Sequence, residues 1–382
     1  MGSIGLWLIG GRGSVATTAT TGLLAMQARV VQPTGCVSAL PQFACAGLAD
    51  WDSIAVGGHD IAEVPLRKRA ELLAEAGVIP HRVLDAVGDG LADVESELRP
   101  GYHPATHAGS QAGAARRLAE DLRAFRQRRG LDEVVVINVA STEAAFPRLP
   151  GHETLEALEE AIAEPGRTVL PPSSVAAYAA FQAGCSFVDF TPSLGARVPA
   201  LYELAVRRGL PYAGADGKTG ETLLRSTLAP MFTTRALTVR SWAGTNLLGG
   251  GDGQTLADAE RASSKLSSKE RGLVALLGGE VTAPLHIDNV PHLGEQKIAW
   301  DHMSFEGFLG ARMSLQFTWT GYDSALAAPL VLDLARFTAA ASAAGQRGPL
   351  PSLAFFFKDP VGSDEHRLAE QFQLLVEWAG DL

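Results

Sequence analysis

The chain of 382 residues carries 32 Lys and Arg against 42 Asp and Glu, a formal net charge of −10. With 46% hydrophobic and 19% charged residues, it reads as a globular protein of two to three domains and not as a disordered chain. The acidic balance argues against nucleic acid or an anionic membrane as partner. Three cysteines (Cys36, Cys45, Cys185) without a Cys-x-x-Cys pair suggest neither a disulfide framework nor a zinc site. No signal peptide is expected, and the apolar run at 325–332 gives way to Asp333 and Arg336, short of the roughly 20 residues a membrane span needs. The default expectation is a soluble cytoplasmic enzyme.

Residues 5–9 (GLWLI) predict a strand. The strand runs into Gly10-Gly11-Arg12-Gly13-Ser14-Val15-Ala16 and then a helix over 17–26. Gly11-x-Gly13-x-x-Ala16 fits a dinucleotide turn, in which glycines let the backbone approach a pyrophosphate at the helix N-terminus. An ordinary strand–helix turn stays equally open on this signal alone. Residues 62–76 predict a charged surface helix. A helix over 114–129 carries Ala115, Leu118, Leu122 and Phe125 on one face. Its arginines, interrupted by Glu120 and Asp121, read as a solvated face.

Residues 134–139 (VVVINV) predict a strand buried on both sides, ending in Ala140-Ser141-Thr142-Glu143. Helices over 153–164 and 174–183, a strand over 186–190 ending in Thr191-Pro192-Ser193, a helix over 201–208 and a strand over 210–213 follow. This alternation predicts an α/β fold with a Rossmann-type doubly wound parallel sheet. Beyond it, 236–243 and 313–320 alternate apolar and polar residues, the pattern of half-exposed strands. They suggest a second, smaller α+β domain. An amphipathic helix over 325–344 and a last strand over 353–357 close the chain. The expected division is 1–225 completed by 325–382, with 226–324 as the smaller domain.

Residues 214–222 (GADGKTGET) feed a strand into a helix start. They are no P-loop, since Tyr212 stands where the first glycine is needed. A phosphate cradle and a plain N-cap at Thr219 both remain open. A glycine-rich loop over 245–253 holds Asp252. Lys265 and Lys269 are spaced i, i+4 and share a helix face, for which a solvated face is the default. Lys297 follows Gly294-Glu295-Gln296, and Lys358 ends the apolar run Phe355-Phe356-Phe357. Clustered, partly buried lysines lower one another's pKa toward the acid–base range. His103 and His107 have metal-like spacing, but Pro104 argues against the helix that would align them, so no metal site is expected there.

Together these segments resemble one family, the myo-inositol-1-phosphate synthases. The matching strings are 10–16, 57–61 (GGHDI), 187–193, 213–222, 242–253, 264–269, 294–301 and 322–330 (YDSALAAPL). The resemblance implies bound NAD and a hexose 6-phosphate substrate. Glucose 6-phosphate would be oxidised at carbon 5, enolised, closed by an intramolecular aldol step and re-reduced. It implies Lys265, Lys297, Lys358 and Lys269, with Asp252 and Asp323, as the catalytic set. It places NAD on Gly10, Gly11, Arg12, Gly13, Ser14, Val15, Asp60, Ser141, Thr191, Asp216 and Asp252. The substrate phosphate would lie on Thr219, Gly220, Glu221, Thr222, Lys269 and Lys297. A divalent or monovalent cation beside Asp252 or Asp323 is open, and a homotetramer is implied.

Several positions depart from the family pattern. Glu221 stands for the usual Gln, and Glu295-Gln296 for Asp-Ser. Trp300 and His302 replace smaller or acidic residues, and Ala16 replaces the third glycine. Two alternatives are the same closure on fructose 6-phosphate, giving a five-membered ring, and a plain NAD-dependent dehydrogenase. A non-catalytic binding protein is disfavoured because all four lysines are present.

Overall fold

A computed structural model of the chain describes residues 2–249, 273, 276–278 and 281–382. Strands β1 (Ile4–Ile9), β2 (Ile54–Asp60), β3 (Leu98–Pro100), β4 (Glu133–Asn138), β5 (Ser186–Asp189) and β6 (Pro211–Ala213) alternate with helices. They pair in parallel in the order β6-β5-β4-β1-β2-β3. Their near-continuous apolar runs are explained by cover on both faces. Leu6, Leu8, Val135 and Ile137 point into one core with helix α1 (Ser14–Gln27). Trp7, Val134 and Val136 point into the other, with residues of the helices Gln111–Arg129 and Pro172–Gln182. Strand order reverses between β1 and β4, which opens a crevice at their C-terminal ends. The glycine turn after β1 and the loop after β4 face each other there.

The second sheet is smaller and mixed. Strands β7 (Thr238–Leu248), β8 (Leu285–Asn289), β9 (Lys297–Glu306) and β10 (Arg312–Gly321) lie in the order β10-β9-β7-β8. One face is covered by the helix Gly220–Thr234, whose Ala229 and Phe232 pack on Val239, Trp242 and Met303. The other face is open, as the alternation in sequence predicts. At the β9–β10 turn Phe308 and Leu309 are almost fully exposed.

Four sequence expectations change. Residues 245–248, expected as part of a loop, continue strand β7. Residues 353–357 do not form a strand: 353–356 belong to a 3₁₀ helix (Pro351–Phe356), Phe357 makes only an isolated bridge to Gly217, and the extra strand of the large sheet is β11 (Gly348–Pro349), paired with β6. The helix expected over 62–76 begins only at Leu66, because Pro65 stands at its N-cap. The last long helix, Asp323–Ala343, is not amphipathic along its whole length. From Val331 to Ala341 it is buried all round, because it lies between the large sheet and α1. It is long and apolar enough to cross a membrane by composition, but 78% of its most apolar window is buried inside the protein. Its buried Asp333 accepts from the Val37 and Ser38 amides (2.7 and 3.0 Å), and its Arg336 donates to Ala49 O (2.8 Å), so its polar residues tie the loop 36–49 to the core.

Candidate active site

The glycine turn explains the first half of the site. Gly10 has φ +84°, and a Cβ there would stand 2.8 Å from the Ala140 backbone, so only glycine fits between the two loops. Gly13 is the N-cap of α1 and gives no side-chain cap, leaving first-turn amides open. Gly11 packs against Leu98 instead of facing the crevice. The crevice is a cavity of about 700 Å³ reaching from Asp60 past Ser14, Val15 and Ser141 to Lys297 and Asp323. Asp60 ends β2 and accepts from the Arg12 and Ala62 amides (2.6 and 2.7 Å). The Arg12 guanidinium turns away to Glu95 (2.6 Å) and Ala62 O (3.2 Å).

A second, smaller cavity of about 130 Å³ adjoins the first and shares Lys297 and Asp323 with it. Its floor is the turn 214–219 and the start of α9 (Gly220–Thr234). Thr219 is the N-cap, as the plainer sequence reading expects, yet its side chain makes no cap bond. Thr219 and Thr222 both line the cavity. Gly220 has φ +52°, which explains glycine at the helix entry. The turn is pinned by the segment after the 3₁₀ helix: Lys218 N–H donates to Phe356 O (2.8 Å), Lys358 N–H to Asp216 O (2.7 Å) and Ala215 N–H to Asp359 O (2.8 Å).

Two lysines meet this cavity as ion pairs. Lys297 Nζ lies 2.9 Å from Asp323 Oδ2, and Lys358 Nζ lies 2.8 Å from Asp216 Oδ1. Each of these two ammonium groups thus has a carboxylate in contact. Thr191 lines the same cavity, but its hydroxyl donates to Asp189 Oδ1 (2.7 Å). Asp189 also accepts from Asn138 Nδ2 (3.1 Å), and burial raises its carboxyl to about 7.

Glu221 is the departure that looked hardest to reconcile with a phosphate. Its Oε1 lies 2.5 Å from Arg225 and its Oε2 accepts from Asn246 Nδ2 (2.7 Å), all three residues being buried. Arg225 also reaches Asp301 (3.2 Å), which accepts from Trp242 Nε1 (2.7 Å). Burial, then the charge of Glu221, raises the Asp301 carboxyl above its usual range. The guanidinium therefore neutralises the Glu221 charge beneath the turn. Trp300 and His302 lie on the other face of β9 from Asp301 and Lys297.

Lys265, Lys269 and Asp252 lie outside the described residues. Sequence reading missed Arg69 and took Glu295 only as a departure. Arg69 donates to Ser14 Oγ (2.5 Å) and Glu295 Oε1 (3.1 Å). Its place in an apparently ordinary charged helix concealed it. Glu143, which accepts from Ser173 N–H (2.7 Å), stood in a quoted loop, but its inward turn had no sequence signal.

The family model for myo-inositol-1-phosphate synthase, an NAD-binding family, matches residues 4–379. The chain belongs to the myo-inositol-1-phosphate synthase family. It is 31% identical to inositol-3-phosphate synthase 1 of Bacteroides thetaiotaomicron, over 99% of this chain and 93% of that one. The Drosophila melanogaster inositol-3-phosphate synthase is 32% identical over 74% of this chain, which spans 53% of that longer relative. Among solved structures, the Caenorhabditis elegans inositol-3-phosphate synthase superposes with a TM-score of 0.85 at 21% identity, covering 99% of this chain and 85% of the other. A myo-inositol-1-phosphate synthase-related protein from Thermotoga maritima gives 0.77 at 23% identity, covering 99% and 98%. These structural likenesses bear on fold alone.

The crevice fits the family's cofactor. It offers a cradle that a Cβ at Gly10 would fill, uncapped amides at α1, and a carboxylate at the end of β2 where nucleotide folds hold a ribose.

Proposed function

We propose that the chain is an NAD-dependent cyclase that converts glucose 6-phosphate to an inositol phosphate by oxidation, enolisation, aldol closure and re-reduction. The observation that carries this is the junction at Lys297 and Asp323, which line both the dinucleotide crevice and the smaller cavity. Bound NAD supplies reversible hydride acceptance at carbon 5. The α9 turn at Thr219, Gly220, Glu221 and Thr222 holds the substrate phosphate through its amides and hydroxyls. Lys297 and Lys358 stabilise negative charge developing on oxygen, where preorganised cations in a water-poor site act most strongly. Asp323 and Asp216 orient those ammonium groups. Lys265 and Lys269, with Asp252, complete the set as the family resemblance implies.

We assign 1–225 with 325–382 to the NAD-binding domain and 226–324 to the catalytic domain. The open face of the second sheet, with Phe308 and Leu309 exposed at its edge turn, supports assembly as a homotetramer, working in the cytoplasm. The relatives named above lend no support to fructose 6-phosphate closure or to a plain dehydrogenase.

The test is incubation with NAD⁺ and glucose 6-phosphate, with products read by carbon NMR and NADH absorbance followed alongside. A six-membered cyclitol phosphate without net NADH is expected. Steady NADH release overturns the cyclase reading.

A further inference from the structure

We propose that Arg69 binds the cofactor pyrophosphate at the start of α1 and, through Glu295, ties the segment carrying Lys297 to the bound cofactor. The inference rests on the cofactor reading above and adds a residue that the glycine motif does not contain. Arg12, the cation within that motif, is committed elsewhere, to Glu95 and Ala62 O. Arg69 comes from the next helix, α2 (Leu66–Glu75). One nitrogen, Nη2, lies 2.5 Å from Ser14 Oγ and 3.1 Å from Glu295 Oε1. Ser14 is the first residue of α1, and all three side chains line the crevice.

A dinucleotide pyrophosphate carries negative charge and belongs at this helix N-terminus. A guanidinium presents five donors in a planar fork, so it can hold a phosphate oxygen and a carboxylate together. Lysine offers one point charge and cannot span both geometrically. Glu295 precedes Lys297 by two residues, just after the turn at Gly294 (φ +56°). Arg69 and Glu295 are about three-quarters buried, so screening is weaker than at an open surface. The same guanidinium thus contacts the large-sheet side of the crevice and the loop that leads into β9. A cofactor that orders Arg69 also orders the start of the catalytic strand.

The test compares wild type, Arg69→Ala and Arg69→Lys by calorimetric titration with NAD⁺ and, separately, adenosine, which lacks the pyrophosphate. Losing a charge-assisted contact is expected to weaken NAD⁺ binding about 10- to 100-fold. Adenosine affinity and melting temperature should hold, and lysine should restore only part of the loss. Hydrogen exchange at 294–298 should slow on NAD⁺ binding in wild type and not in Arg69→Ala. Equal NAD⁺ affinity in wild type and Arg69→Ala overturns the phosphate role. Equal slowing of exchange in both overturns the tie to Lys297. Parallel losses for NAD⁺ and adenosine mark Arg69 as merely structural and overturn the proposal. A wild-type chain that binds no NAD⁺ overturns the cofactor reading together with this one.

Discussion

The starts of α1 and α9 are both uncapped helix N-termini, but they are built differently. The backbone of the α1 cradle comes from one local run, 10–16, with Gly10 pressed against Ala140 and Arg69 reaching in from α2. The α9 cradle is assembled from distant chain. Lys358 reaches Asp216 across 142 residues and Lys297 reaches Asp323 across 26, while Arg225, one turn along α9 itself, neutralises Glu221. A dinucleotide phosphate needs a close backbone approach, which glycine supplies, with one cation beside it. A reacting sugar phosphate needs cations at several oxygens at once, which no single run of sequence can place.

Lys297→Ala tests whether the two cradles are functionally separate. Removing a cation aimed at developing oxyanion charge is expected to lower kcat by about 10³-fold, the upper end for one such donor. NAD⁺ affinity should stay within about threefold, since first-turn amides hold the cofactor. Single-turnover kinetics with calorimetry check this, and a matching loss in both would merge the two cavities into one function.

A smaller effect is expected from the glycines. Gly10→Val puts a side chain 2.8 Å from Ala140 at φ +84°, a strain of about 1–3 kcal/mol, and should lower both melting temperature and NAD⁺ affinity. Gly13→Ala meets only the Gly10 carbonyl at 3.2 Å, with an ordinary φ of −69°. It should cost less in both measurements, and a reversal of that order would refute the cradle geometry.

The same contrast explains what the sequence made legible. The large sheet could be read from its apolar runs, because β1 and β4 are covered on both faces. The dinucleotide turn could be read because its requirement is local. The second sheet followed from period-2 alternation along a strand with one open face. The lysine–carboxylate pairs of the smaller cavity could not be derived in this way. Lys358 and Asp216 are 142 residues apart, and although Lys358 ends an apolar run, nothing in the spacing says which carboxylate it meets. The family resemblance supplied the lysines. Residues 353–357 misled because an apolar run buries equally well in a 3₁₀ helix led by Pro351, which takes up four of the five. Arg69 escaped notice because helix periodicity cannot distinguish a solvated arginine from one directed into a crevice.

Lys218 sharpens the comparison further, because it lies in the α9 cradle yet, among the described residues, has no carboxylate in contact. It is 5% exposed, and its Nζ donates to Gln371 of the C-terminal helix Leu368–Gly380. Burial pushes its ammonium down from 10.5 to about 7, and the charge of Glu365 offsets only part of that. Between pH 7 and 10.5 the unfolded chain therefore binds more protons at this site than the folded one. Stability should rise with pH across that window, by at most about 1.4 kcal/mol per unit. Asp189 has the opposite sense. Its carboxyl is raised from 3.8 to about 7, so the folded state holds the extra proton and stability falls as pH rises through that range. Lys218→Met should flatten the alkaline side of the profile, and Asp189→Asn the acidic side, in denaturant titrations across roughly pH 5–9.5, within the two windows. If Lys218→Met keeps the wild-type slope above pH 7, the lysine is charged in the folded protein. The segment leading into the C-terminal helix would then be held to the cradle by a cation facing Glu365, much as Lys358 is paired with Asp216 of this turn.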